Sequence, residues 1–266
     1  MCVRSIICKK VFALLAAVLL CLILAGEALA APEDVIGSIA QGLSVDDALW
    51  KECPLGDYLA DAVRERTGAQ AALIPSELLK NALVGDGSVT EEDVAELLRE
   101  DCAVYVYTLT ASQFKALLED SVSHWQLTER ETLDSELSAY GGFLQISGFT
   151  MTADASAPVG ERVISVTMGG DALDLDSDAQ TIKTALPAVL NPGVPGVRAD
   201  GTVLSMVRDR IAANGAVETP EGDRIRVIGA HARDIIGVIP PWFIGLLVIV
   251  LLANALLTKS RRRETE

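Results

Sequence analysis

Apolar positions follow three spacings along the chain. Unbroken runs occupy its two ends, and helical and alternating patterns share the interior. After Pro54, Leu55, Leu59, Ala62 and Val63 recur at helical spacing up to Thr67-Gly68, which predicts a helix with a glycine stop. Residues 71–74 read as a short buried strand. Thr90 followed by Asp93 is an N-cap pattern, and Val94, Leu97 and Leu98 give the helix it opens an inward stripe. Residues 104–109 are apolar at both alternating sets of positions, so a central strand covered on two sides fits better than an edge. Thr110 to Gln113 forms a second capping pattern, and Phe114, Leu117, Leu118 and Val122 line one face of the helix that follows. Residues 126–140 are polar and read as loop.

Strands dominate the next stretch, at 143–146, 149–152 and 162–168, with Gly169-Gly170 as a hairpin turn into 172–175. A strand at 181–186, a helix at 203–213 and a last strand at 224–228 close the pattern. No period repeats and no low-complexity linker divides the segment. The fold class expected is α/β (mixed α+β), a single domain over 53–229 with a mixed sheet and flanking helices. A weakly patterned lead-in, 31–52, precedes it and a juxtamembrane linker, 230–240, follows.

The terminal runs carry targeting information. Basic Arg4, Lys9 and Lys10, the apolar run 11–25, and Ala28-Leu29-Ala30 before Ala31 have the layout of a signal peptide over 1–30, cleaved after Ala30. An uncleaved anchor fits less well, because Gly26 and Glu27 interrupt the run. Lipidation at Cys21 is disfavoured because Leu20 stands where a small residue should precede it. The other run, 241–258, is uncharged up to Lys259 and reaches the lower limit of about 17 apolar residues for a spanning helix. Pro240 and Pro241 suit its first turn, Trp242 suits the interface, and Lys259 with Arg261, Arg262 and Arg263 holds the tail 259–266 in the cytoplasm. A sortase signal of the Leu-Pro-x-Thr-Gly type is absent. The expected location is a single-pass cell-membrane protein with an extracytoplasmic ectodomain.

Charge narrows the partners. Residues 31–239 hold 15 Lys and Arg against 34 Asp and Glu, a net of −19, which argues against nucleic acid or an anionic lipid surface. Solubility is the ordinary reading of that excess. Only Cys53 and Cys102 fall in the mature segment; an oxidising exterior would let them pair, and two buried free thiols are the alternative. His124 and His231 are the only histidines, so a histidine-rich metal centre is excluded by count and no cofactor is called for. Asp174 with Asp176, and Glu91 to Asp93, read as a solvated hairpin face and a helix N-terminus rather than catalytic or calcium sites. Neither cysteine has a histidine near it in sequence, and no Gly-x-Ser-x-Gly string occurs, so nucleophilic catalysis lacks support.

Several strings resemble the C-terminal, substrate-binding domain of the 5′-nucleotidase family. They are Pro54-Leu55-Gly56-Asp57-Tyr58-Leu59-Ala60-Asp61-Ala62, Gly87-Ser88-Val89-Thr90, Leu109-Thr110 with Phe114, Gly142-Phe143-Leu144-Gln145-Ile146-Ser147-Gly148-Phe149, and Gly160-Glu161-Arg162-Val163. The resemblance implies that family's nucleoside-binding fold. Its chemistry resides mainly in a separate two-metal phosphoesterase domain, whose ligands this chain's two histidines could not assemble.

The implied nucleoside site is degenerate. Lys80 is at best the remnant of a glycine-rich turn ending in arginine. Glu100, beside Asp101, stands where a base-stacking aromatic is expected, and Pro187 falls near the second stacking position. Losing two stacking platforms, each worth roughly 1–3 kcal/mol, would weaken such a site by orders of magnitude. The leading expectation is therefore a membrane-tethered domain that is non-catalytic by itself. The alternatives are an accessory substrate-binding subunit of a separate metallophosphoesterase, and a structural or adhesive module for another exported protein.

Overall fold

The computed structural model describes residues 34–85 and 87–230. The expected signal peptide (1–30), membrane span (241–258) and basic tail (259–266) lie outside the described residues. Among the described residues no helix is long and apolar enough to cross a membrane. The elements run β1 (Val35–Ile39), α1 (Pro54–Thr67), β2 (Ala71–Pro75), β3 (Gly87–Thr90), α2 (Glu91–Ala95), β4 (Ala103–Thr110), α3 (Ala111–Ser121) and β5 (Leu144–Ser147). They continue with β6 (Thr150–Asp154), β7 (Val163–Met168), β8 (Asp171–Ala172), β9 (Thr181–Pro187), β10 (Gly196–Thr202), α4 (Val203–Asn214), β11 (Ala216–Val217) and β12 (Ile225–Ile228).

The helices start and stop where their end residues dictate. Thr90 with Asp93, Thr110 with Gln113, and Thr202 with Ser205 each close a reciprocal capping box on α2, α3 and α4. Gly68 and Gly215 end α1 and α4 in the left-handed conformation, at φ 62° and 68°, which glycine adopts without steric penalty.

A mixed five-stranded sheet, ordered β10-β4-β9-β2-β5, forms the middle layer, with β2 parallel to β9 and antiparallel to β5. Its inner strands are covered on both faces, and their alternate residues feed two cores. Ala72 and Ile74 of β2 join one with Leu55, Leu59, Val63, Val203, Val207 and Ile211, under α1 and α4. Ala71 and Leu73 join the other with Phe114, Leu118, Ile146, Phe149 and Val166, under α3 and the sheet β12-β6-β7-β8. In β4, Val104 and Val106 face the first core while Tyr105, Tyr107 and Leu109 face the second, as its two-sided apolar pattern predicts.

Four differences from the sequence reading have physical causes. The supposed lead-in carries β1, which pairs antiparallel with β3 and parallel with β11, and it buries Leu43 and Ala48, so it belongs to the folded body. Strand β10 carries no strand signal in the sequence because Gly196 and Gly201 break its pattern and most of its side chains are exposed, as befits an edge. The hairpin at Gly169-Gly170 forms, both residues having positive φ, but its second strand ends at Ala172. Beyond it the Asp174 carbonyl accepts from the Ser177 N–H at 3.1 Å, so the backbone turns while Leu175 still reaches the core. Finally, β11 is too short to show a period.

One buried polar side chain stitches the layers. Gln145, fully buried in β5, accepts from the Cys53 N–H at 2.9 Å through Oε1. Its Nε2 lies 3.0 Å from each of the Ala48 carbonyl, the Lys51 carbonyl and the Ser76 hydroxyl. Gly56 is required beside it, since a Cβ there would stand 2.3 Å from Gln145 Cγ. Gln145→Leu keeps the bulk but orphans a buried N–H and at least one carbonyl, each costing about 1–3 kcal/mol. Chemical denaturation is expected to show a loss of about 3 kcal/mol or more, with the 44–53 segment gaining the most amide exchange.

Candidate functional site

The start of α1 is built to hold a carboxyl group away from water. Cys53 is the N-cap, its Sγ accepting from the Gly56 N–H at 3.4 Å, and Pro54 takes the first helical position. One turn in, Asp57 is 1% exposed. Its Oδ1 has no hydrogen-bond donor, and the same is true of Glu52 Oε1 nearby. Burial pushes the Asp57 carboxyl up to about 9, and Glu52 within hydrogen-bonding reach adds to the rise against the pull of Arg224. Asp57 accordingly keeps its proton at neutral pH.

The chain's far end completes the arrangement. Arg224, just before β12, grips Asp61 with two bonds of 2.9 Å and donates to the Ile146 carbonyl at 2.8 Å. It stands 3.9 Å from Asp57 Oδ1. Its bidentate fork goes to Asp61, one turn farther along α1, while the same guanidinium stays within ion-pair distance of Asp57 and offsets part of the charge there. Glu52 Oε2 accepts from the Ile225 N–H at 2.9 Å, which ties the pair to β12.

Above the pair lies a cleft of about 640 Å³, lined by Glu52, Cys53, Asp57, Trp50, Trp125 and Phe143, with Asp47, Lys51 and Asp223 also contributing. Trp125 is nearly buried, donates its indole N–H to the Trp50 carbonyl at 3.0 Å, and sits 6.3 Å from Phe143 centre to centre. Asp47 and Asp223 both have left-handed backbones, φ 63° and 64°, a conformation Asp tolerates better than most residues. Concavity, aromatic walls and a few convergent polar groups are the features of a small-molecule site.

None of the expected nucleoside-site positions, Lys80, Glu100, Asp101 and Pro187, lines this cleft, although Pro54, Asp57 and Phe143 of the family-like strings do. The topology does bring their loops to one end of the central sheet, after β2, before β4 and after β9. Each is engaged there in scaffold contacts or solvent. Lys80 is ion-paired with Glu96. Asp101 Oδ1 accepts from the Leu204 N–H at 3.0 Å, in the first turn of α4. Pro187 is buried at the end of β9, paired with Val104, and Glu100 is exposed. Cys53 and Cys102 do not pair: both are free thiols. Cys53 is committed to capping α1, and burial pushes its thiol up to about 12, so it stays protonated.

Sequence reasoning misses Glu52 and Trp50 as site residues, and places Asp57 only within a family-like string. Their convergence depends on contacts such as Glu52 to Ile225, separated by 173 residues, which no local spacing announces.

The buried pair makes a pH prediction. The folded-state value for Asp57 lies above its ordinary 3.8, so the native state holds a proton that the unfolded chain releases as pH rises from about 4 to about 9. Stability present below that window is lost as pH climbs through it, at most about 1.4 kcal/mol per pH unit. Asp57→Asn, nearly isosteric and uncharged, is expected to match the parent at the acid end of the window and to melt at higher temperature than the parent at the alkaline end, read by thermal denaturation across pH.

Comparison with known proteins agrees with this architecture. The family model described as 5′-nucleotidase, C-terminal domain matches residues 35–180. The 5′-nucleotidase precursor of Thermus thermophilus superposes with a TM-score of 0.62 at 25% identity, over 78% of this chain and 42% of that one. A putative 5′-nucleotidase from Staphylococcus aureus, solved in complex with alpha-ketoglutarate, gives 0.61 at 17% identity over 73% and 41%. The NAD nucleotidase of Haemophilus influenzae gives 0.58 at 15% identity over 73% and 38%. This chain therefore spans less than half the length of each of these three structures. No curated protein matches it. With the family model covering more than half of its residues and the same fold in these nucleotidases, the chain belongs to the 5′-nucleotidase C-terminal domain family.

Proposed function

We propose that this protein is a 5′-nucleotidase C-terminal-like domain held at the outer face of a membrane by residues 241–258, and that it does not hydrolyse nucleotides by itself. The observation that carries the reading is how the side chains at the inherited nucleoside positions are used. Lys80 is neutralised by Glu96, Asp101 accepts from the first turn of α4, and Pro187 is buried within β9. A nucleoside pocket needs an aromatic face for the base and free donors for the sugar. At these positions the chain offers an exposed carboxylate, Glu100, and a proline instead. Fold and ligand are separable properties, so a retained scaffold with a changed site fits a domain whose recognition has moved elsewhere.

The membrane part of the reading rests on sequence: the apolar run 241–258, its basic flank and the signal-like N-terminus. Full-length protein extracted by detergent from the membrane fraction is the material for the test. It is expected to release no phosphate from AMP in the presence of manganese and to give a flat calorimetric titration with adenosine. Recovery in the soluble fraction, phosphate release that follows the protein through purification, or saturable adenosine binding would each overturn the proposal.

A further inference from the structure

The cleft at the start of α1 belongs to neither the inherited nucleoside positions nor the membrane segment. We infer that it binds a small organic cation, a primary ammonium on an apolar stem, with the ammonium donating to Glu52 and Asp57 and the stem lying between Trp50, Trp125 and Phe143.

Three independent observations support this. Asp57 is 1% exposed, lines the cleft, and its Oδ1 has no hydrogen-bond donor. Glu52 Oε1, on the same wall, also lacks a donor. A hydrogen bond between the two carboxyls fills only part of their capacity, since each oxygen carries two lone pairs. An ammonium brings three donors of the required sign.

The charge balance of the cleft is the second. Asp47, Glu52, Asp57 and Asp223 line it against Lys51. Arg224, the nearest strong cation to Asp57, is held in a bidentate pair by Asp61. Arg224 stands 3.9 Å from Asp57 Oδ1 and offsets part of the charge there, while Asp47 and Asp223 outnumber Lys51 among the other lining residues. Among the described residues no three His, Cys, Asp or Glu side chains converge as metal ligands, so the carboxylates suit a hydrogen-bonding cation better than a coordinated one.

The third is the aromatic lining. Trp125 and Phe143 are fixed, the first by its bond to the Trp50 carbonyl and both by the second core. Indole and phenyl faces attract cations and cover methylene stems, and rigid rings lose little freedom on binding. A neutral or anionic ligand of the same shape would gain the stem contact and forgo or oppose the rest.

The test uses the full-length protein in detergent at neutral pH and low salt, with pentylamine as the probe and pentanol as an uncharged control of equal stem length. Calorimetry is expected to show saturable one-to-one binding of pentylamine and none of pentanol. Glu52→Gln is expected to weaken binding by about tenfold, as loss of a hydrogen bond to a charged group would. Asp47→Asn, which keeps a residue type at home in a left-handed backbone and so should fold, is expected to weaken it by about two- to fivefold through lost attraction. Absence of saturable pentylamine binding, equal binding of pentanol, or unchanged affinity in both folded variants would overturn the proposal.

Discussion

The carboxamide of Gln145 is the contact on which the rest of this domain depends. It is fully buried in β5 at the edge of the central sheet, where backbone groups from the loop before α1 converge on it. By accepting from Cys53 and donating toward Ala48, Lys51 and Ser76, it fixes that loop against the strand end after β2. A buried polar group so placed adds modest net stability but costs heavily if removed, because its partners stay desolvated. It therefore specifies one arrangement of the loop, and that loop supplies Trp50, Lys51 and Glu52 to the cleft.

A second constraint, ionic this time, joins the chain's distant parts. Asp61 on α1 and Arg224 before β12 are both largely buried and bind each other through two hydrogen bonds, with Ser147 of β5 also donating to Asp61. Burying an ion pair costs desolvation that its attraction only partly offsets, so such a pair is better understood as fixing position than as adding stability. What it fixes is β12 and, through the Ile225 N–H, the Glu52 carboxylate. The acid pair of Glu52 and Asp57 is thus held beside a guanidinium that bonds Asp61 and stands within ion-pair distance of Asp57.

The family scaffold itself rests on contacts away from the loops that carry Lys80, Glu100 and Asp101. The middle sheet and the two cores rely on Leu73, Ile74, Phe114, Leu118 and their neighbours, whose packing is indifferent to what happens in the loops. Lys80, Glu100 and Asp101 lie in loops at one end of that sheet, where a salt bridge or a helix-capping contact can replace a ligand contact without disturbing the core. Pro187 is different, being buried within a strand and part of the scaffold itself.

Whatever a local period or an end residue encodes can be read directly from the chain. Helices α1, α3 and α4, the caps at Thr90, Thr110 and Gly68, the two-sided strand β4 and the glycine turn at 169–170 all follow from short-range spacings. The family strings, Gln145 among them, point to the fold as well. Packing, by contrast, is what places residues 35–52 in the body, because β1 finds its partners in β3 and β11, the latter close to the far end of the domain. Packing also commits Cys53 to capping a helix instead of pairing with Cys102. The cleft is invisible in the sequence for the same reason: Trp50, Asp57, Trp125 and Arg224 acquire their chemistry from neighbours remote in the chain, and burial, which lifts the Asp57 carboxyl, is a property of the packed whole and not of any local string.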